Sequence, residues 1–197
     1  MLLKKRILIT AGPTREMFDP VRFLSNRSTG EMGYTLAAVA KEQKNQVTLI
    51  SGPTALKPPK GVRLISITSA DELKKVCERE FKKCDVLVMT AAVCDYTARL
   101  RKHSKISRKD SMTLQLKQTP DIVRGLAQKK GKRKVIGFCL ETEDWINKAR
   151  KKIKRKSLDG IVANIVTKQH NPFGAGKTKV AFLSEGESPQ VHKNITK

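Results

Sequence analysis

The chain is poor in acidic residues, aromatic rings, histidine and cysteine, and each shortage excludes something. Asp and Glu number 18 against 41 Lys and Arg, so the formal net charge of +23 points to anionic partners: nucleic acid, acidic lipid or a phosphorylated small molecule. Aromatics are only 5% of residues and show no stacking pattern, and no familiar nucleic-acid motif appears, which argues against a single-strand binding platform. Cysteines stand at 77, 84, 94 and 139 without a CxxC pair, and His103, His170 and His192 lie far from them in sequence. Zinc-ligand spacing is therefore missing, and the thiols read as packed side chains in a reducing, cytoplasmic setting. No apolar run is long enough to span a membrane. The start, MLLKKRILITAG, lacks the apolar region and cleavage site of a signal peptide and reads as a first strand.

What is present suits one domain over residues 1–197. Compact apolar runs predict strands at RILIT 6–10, QVTLI 46–50, VRLISI 62–67, DVLVMTAA 85–92, KVIGF 134–138, DGIVANIV 159–166 and KVAFLS 179–184. TLQLK at 113–117 alternates like a half-exposed strand. Helical spacing is expected over 32–43, capped by Ser28 or Thr29, and over 71–83, capped by Ser69. Further helices are expected after Pro120 and in the basic stretch DWINKARKKIKRKSL. Strands alternating with helices predict an α/β, mostly parallel sheet flanked by helices. The polar segment 96–112 interrupts this pattern and reads as a flap or hairpin arm.

Ligands of such sheets sit beyond the carboxyl ends of the strands, and AGPT, SGPT, TAAVCD, GFCLET and VANIV all fall at or around such ends. AGPTRE, with Gly12, lacks GxGxxG spacing. In SGPT, Ser51 and Thr54 can donate to phosphate oxygens, Gly52 permits close approach and Pro53 stiffens the turn; a plain structural turn is the competing reading. In SNRSTGEMG, Asn26, Arg27, Ser28 and Thr29 precede a helix N-terminus, which suits phosphate, while the Asn26 amide can hold a carbonyl or oxyanion. Lys152 and Lys156 share a helix face and can meet phosphates, although charge runs usually form solvated faces. Lys105 can act from the flap, or be one surface lysine among many. Asp95 can bind Mg2+ or a ribose, or cap a turn. Cys94 and Cys139 lack a base partner.

Taken together and in order, ITAGPTRE, DPVRFLSNRSTGEMGY, VTLISGPTAL, MTAAVCDY, TPDI, IGF and KRKSLDGIVAN resemble phosphopantothenoylcysteine synthetase, the ligase half of the bacterial bifunctional coenzyme A biosynthesis protein. The resemblance implies a Rossmann-like fold, a homodimer, and joining of 4'-phosphopantothenate to L-cysteine with CTP as co-substrate and Mg2+ assisting. It implies no flavin, no nucleic acid and no membrane partner. By the same resemblance Asn26 and Lys105 are catalytic, and Ala92 belongs with the substrate loop. Asp95, Pro120, Asp121, Ile122, Phe138, Lys152 and Lys156 join Gly12 and the SGPT loop around the nucleotide, with Asp95 as metal ligand. The chain departs from the family pattern at Pro13, Ser107, GFCLET, Ile165 and the late loop FGAGKTK. An NAD(P)-dependent oxidoreductase and a non-enzymatic RNA-binding protein are the competing classes.

Overall fold

A computed structural model describes residues 4–167 and 178–195. Its centre is an eight-stranded sheet. In chain order the elements are β1 (Arg6–Ala11), β2 (Arg15–Met17), β3 (Phe23–Ser25), α1 (Glu31–Glu42), β4 (Gln46–Ser51), β5 (Arg63–Ser66), α2 (Ala70–Phe81) and β6 (Val86–Met89). There follow β7 (Tyr96–Ala98), β8 (Leu116–Gln118), α3 (Ile122–Ala127), β9 (Lys134–Glu141), α4 (Trp145–Lys156), β10 (Gly160–Ile165), β11 (Thr178–Ser184) and β12 (Gln190–Ile195). The sheet runs β12-β11-β10-β9-β6-β1-β4-β5. The six strands from β10 to β5 pair in parallel, and β11 and β12 add an antiparallel edge. The fold is therefore α/β with a mixed central sheet, in a Rossmann-like arrangement. The parallel order reverses between β1 and β6, the crevice where such sheets receive ligands.

Alternation along the strands splits the core in two. Ile9, Ala11, Val47 and Leu49 face α1 through Tyr34 and Ala37. Leu8, Ile50, Leu87, Val135 and Ile161 face the other way, against α2, α3 and α4 through Leu73, Leu126 and Ile153. In α2, Ala70, Leu73, Cys77 and Phe81 recur at helical spacing on the buried face, and Ser69 caps the helix by accepting from the Glu72 amide at 3.3 Å. In α4 the fully buried residues are only Ala149 and Ile153. Burying one such isoleucine contributes about 2 kcal/mol, and the basic remainder of that helix is left to solvent and the cleft.

Three sequence expectations change. The cap of α1 is Gly30, at a φ of 83°, rather than Ser28 or Thr29. Those two hydroxyls turn back onto the loop, accepting from the amides of Gly30 and Glu31. The hairpin β2–β3 was too short to show a period in sequence, and of β7–β8 only β8 was foreshadowed, by the strand expected over 113–117 beside the arm expected over 96–112. The terminal strand β12 was also unforeseen. The FGAGKTK loop falls almost wholly outside the described residues.

The segment between β7 and β8 is pinned at its middle. Asp19, fully buried, accepts from the amides of Val21, Arg22 and Ile106, while Arg22 donates to the Ile106 carbonyl at 2.7 Å. Burial would raise the Asp19 pKa, but these amides and the Arg22 charge lower it below the usual carboxylate value. No helix among the described residues is long and apolar enough to cross a membrane.

Candidate ligand-binding site

The crevice between β1 and β6 is built by their extensions. Pro13 bridges Ala92 in parallel, Ala92 donates to the Gly12 carbonyl at 2.9 Å, and Thr14 donates to the Ala92 carbonyl at 3.2 Å. Asn26 reaches across from the end of β3. Its amide nitrogen donates to the carbonyls of both Ala92 and Val93 at 3.1 Å. Both amide hydrogens are thereby used, so Asn26 offers no donor to an oxyanion. The end of its side chain left over is the carbonyl oxygen, an acceptor.

From this crevice a cleft of about 970 Å3 runs toward α3 and α4. Its walls include Asn26, Arg27, Ala92, Asp95, Phe138 and Lys152, together with Pro120, Asp121, Ile122 and Lys156. Eight of the sequence candidates from widely spaced segments thus meet with Arg27 and Asp95 in one place. The basic wall is held by acids. Lys156 donates to Asp121 at 3.0 Å, and Lys152 donates to Glu141, which also pairs with Lys148 at 3.7 Å. Asp121 has a second task, capping α3 by accepting from the Arg124 amide at 3.3 Å.

The SGPT loop is elsewhere. Gly12, Ser51, Gly52, Pro53 and Thr54 line neither this cleft nor the smaller cavity beside it. Ser51 is 3% exposed, donates to the Gly52 carbonyl and accepts from the Tyr34 hydroxyl, to which Thr54 also donates. These hydroxyls are spent on one another rather than on a phosphate. Gly52 is where it is because a Cβ would lie 1.9 Å from the Pro13 carbonyl oxygen. Lys105 is likewise absent from the lining and exposed on the arm that Asp19 pins. Asp95 lines the cleft together with Asp121, and the described residues hold no group of three His, Cys, Asp or Glu side chains placed to hold a metal ion.

A smaller cavity of about 180 Å3 opens between the start of α1 and the ends of β6, β9 and β10. Ser28, Thr29, Gly30, Thr90, Phe138 and Asn164 are among its lining residues. Sequence reasoning missed Asn164 and Glu141, since a strand-end Asn or Glu carries no motif by itself. Cys139 lines both cavities, but burial pushes its thiol up to about 11, so it is protonated at neutral pH and no nucleophile.

The profile of the DNA/pantothenate metabolism flavoprotein C-terminal domain matches residues 2–197. The chain belongs to that family. It is 42% identical over 190 residues to the coenzyme A biosynthesis bifunctional protein of Bacillus subtilis, covering 95% of this chain and 47% of that protein. The chain thus spans about half the length of the curated relatives it matches. A crystal structure of the C-terminal domain of a coenzyme A biosynthesis bifunctional protein superposes with a TM-score of 0.83 at 36% identity, covering 98% of this chain and 89% of that one. A Cab2 structure in complex with phosphopantothenate-cysteine superposes at 0.81 with 17% identity, a likeness of fold, covering 96% and 80%.

The family match keeps the link to coenzyme A biosynthesis and corrects the chemistry that the resemblance implied. The family is named for a flavoprotein, not for a ligase. The assignment as phosphopantothenoylcysteine synthetase, the CTP-dependent amide formation with L-cysteine, and CTP and Mg2+ as co-substrate and cofactor are therefore withdrawn. The expectation that no flavin takes part goes with them, because the flavin stands in the family's own name. The residues nevertheless fit only part of a flavin. Its phosphate suits the basic wall of α4, but the ring finds no slot. The smaller, half-open cavity beside Phe138 is about 180 Å3, below the roughly 300 Å3 at which pockets begin to enclose drug-sized ligands. Among the described residues the only aromatic rings lining the wider cleft are Phe138 and Tyr96, the latter 50% exposed.

Proposed function

We propose that this domain serves an enzyme of coenzyme A biosynthesis by binding a phosphopantothenate–cysteine conjugate in the cleft between β1, β6 and α4. The observation that carries this reading is the basic wall. Lys152, Arg155 and Lys156 lie on one side of the cleft at the carboxyl ends of the parallel strands, with Arg124 nearby on α3. A phosphate dianion is the ligand that such a wall recognises, and it competes with Glu141 and Asp121 for the two lysines. Asn26, its amide hydrogens committed to Ala92 and Val93, accepts an amide N–H of the ligand through its free oxygen. Ala92 and Phe138 supply the apolar contact between the two polar ends. Cab2, whose structure contains phosphopantothenate-cysteine, shares the fold, which makes that conjugate the natural probe. Lys105 and the SGPT loop have no part in this reading.

Titration calorimetry with the conjugate and with its dephosphorylated form tests it. Two charge-assisted contacts of about 1.5 kcal/mol each predict roughly 100-fold weaker binding without the phosphate. Binding of the intact conjugate should also fall as salt is raised. Equal affinity for the two forms would refute the proposal.

A further inference from the structure

The end of the sheet where the parallel strands begin has no part in the cleft and carries a dense charge of its own. The starts of β4, β1, β6, β9 and β10 lie side by side there. The Gln46 amide donates to the Lys5 carbonyl, Asp85 to Arg6, Lys134 to Asp85 and Asp159 to Val135, all between 2.8 and 3.0 Å. Short connections bring the ends of α1, α2 and α3 to the same rim. Over residues 4–6, 41–46, 82–85, 128–134 and 157–159 stand twelve lysines and arginines against three acids, Glu42, Asp85 and Asp159. Two of those acids are committed: Asp85 to Arg6, and Asp159 to Lys130, Lys134 and the Val135 amide. Lys5, Lys44, Lys82, Lys129 and Lys132 are exposed and have no acidic partner among the described residues. Arg133 ties the surface together, donating to the Lys82 carbonyl at 3.1 Å and lying over the Phe81 ring.

Cations at helix C-termini complement the helix dipoles, each equivalent to about half an elementary charge. Three helix ends do not account for an excess of this size. No large hydrophobic side chain in these segments is exposed. A protein partner needs an apolar centre to its interface, and a bilayer is held best where apolar side chains stand beside the lysines. A rim with charge and no such anchor suits a partner held by charge alone. Five strand starts at a spacing of about 4.8 Å span roughly 19 Å. A nucleic-acid duplex presents one phosphate charge per about 1.7 Å of its axis, so several phosphates fall within reach. A single strand would need exposed rings to stack on, and Phe81, the ring at this rim, is buried. We infer that the rim is a second binding surface, separate from the cleft, and that it holds the phosphate backbone of a nucleic-acid duplex without reading its sequence. The family resemblance implied no nucleic-acid partner, an expectation that took no account of where the charge is gathered.

Fluorescence anisotropy with the whole chain and a labelled duplex of about 20 base pairs tests this. Five phosphate contacts predict a log–log salt slope of about −4.5, or about 500-fold weaker binding between about 50 and 200 mM salt. A duplex of unrelated sequence should bind equally well. Replacing Lys5, Lys82, Lys129 and Lys132 together by Gln should bring the slope to about −1 and weaken binding at low salt by more than about 100-fold. Replacing Lys57, Lys60, Arg108 and Lys109 by Gln removes the same charge elsewhere and should change affinity by less than about threefold. Lys152→Gln, in the cleft, should leave duplex binding intact. Far-UV circular dichroism checks that each variant folds. Equal losses in the two fourfold variants would show diffuse charge and overturn the proposal, as would loss of duplex binding in Lys152→Gln. So would no binding at about 50 mM salt, or tighter binding to vesicles of anionic phospholipid than to the duplex. None of these outcomes bears on phosphate-dependent binding of the conjugate, which calorimetry reads separately.

Discussion

The SGPT corner and the basic wall of α4 look alike in sequence, as polar groups gathered near strand ends, but they end differently. At the SGPT corner Ser51, Thr54 and Tyr34 satisfy one another, and the loop braces Gly12 and Gly30 so closely that a Cβ on either would touch the Thr54 methyl within 3.0 Å. At α4 the polar groups are charged and long, and their partners Glu141 and Asp121 stand on other elements at the cleft's edge. The difference teaches that short hydroxyls at a strand end are consumed locally. Long cations on a helix that buries only Ala149 and Ile153 stay available to a ligand.

The largest effect should come from breaking the corner. Gly52→Ala places a methyl 1.9 Å from the Pro13 carbonyl oxygen, and no side-chain movement relieves a clash with backbone. A loss of about 4 kcal/mol, read as a fall of roughly 10 °C in melting temperature, is expected. A melt within 2 °C of wild type would show that the corner is slack.

Breaking the wall should do the opposite, costing ligand and not fold. Lys152→Gln and Lys156→Gln should each weaken the phosphorylated conjugate about tenfold, and leave the dephosphorylated form unchanged. Stability should shift by less than about 1 kcal/mol, since Glu141 retains Lys148 and Asp121 is partly exposed. Unchanged calorimetric affinity in both variants would return these lysines to a solvated face.

Tyr34→Phe sharpens the contrast within the corner. It removes the hydroxyl shared by Ser51 and Thr54 and should cost about 1 kcal/mol in chemical denaturation, with ligand affinity intact. A loss of affinity would place the corner in the site after all.

The smallest effect lies at the other end of the sheet, where strands begin. Asp85 accepts from the Arg6 side chain, chiefly through its guanidinium, and from the Arg6 amide; these hold the carboxyl at about 2 against an ordinary 3.8. A lowered folded value means that this pair stabilises the fold above about pH 4, and that the contribution is lost as pH falls toward 2. Arg6→Gln should therefore move acid unfolding to slightly higher pH, with stability at pH 7 reduced and ligand affinity untouched. Identical acid transitions would remove the pair from the ledger.

The expected elements match the structure best where apolar runs are long. The parallel strands β1, β4, β6, β9 and β10 and the helices α1, α2 and α4 were readable because continuous apolar runs and helical spacing leave few alternatives. The strands β2, β3 and β7 were not, because three residues show no period, while β8 was met in part by the alternation over 113–117. Of the candidate site, the residues lining the cleft were largely legible as types: Asn26, Asp95, Asp121, Phe138, Lys152 and Lys156 all line it. Their states were not. Whether the Asn26 amide is free, whether Lys152 is paired and whether Ser51 faces a ligand depend on what stands opposite each group, and those partners lie 66, 11 and 17 residues away.

By itself the sequence determined the strand–helix alternation and the large positive charge, and with it the expectation of an anionic partner, because these follow from residue type and spacing along the chain. Only the tertiary structure decided which polar groups remain unsatisfied. Hydrogen bonding is a contest between neighbours in space. It closed the SGPT corner on itself, turned Asn26 from donor to acceptor, and left the side-chain oxygen of Asn164 buried without a hydrogen-bond partner.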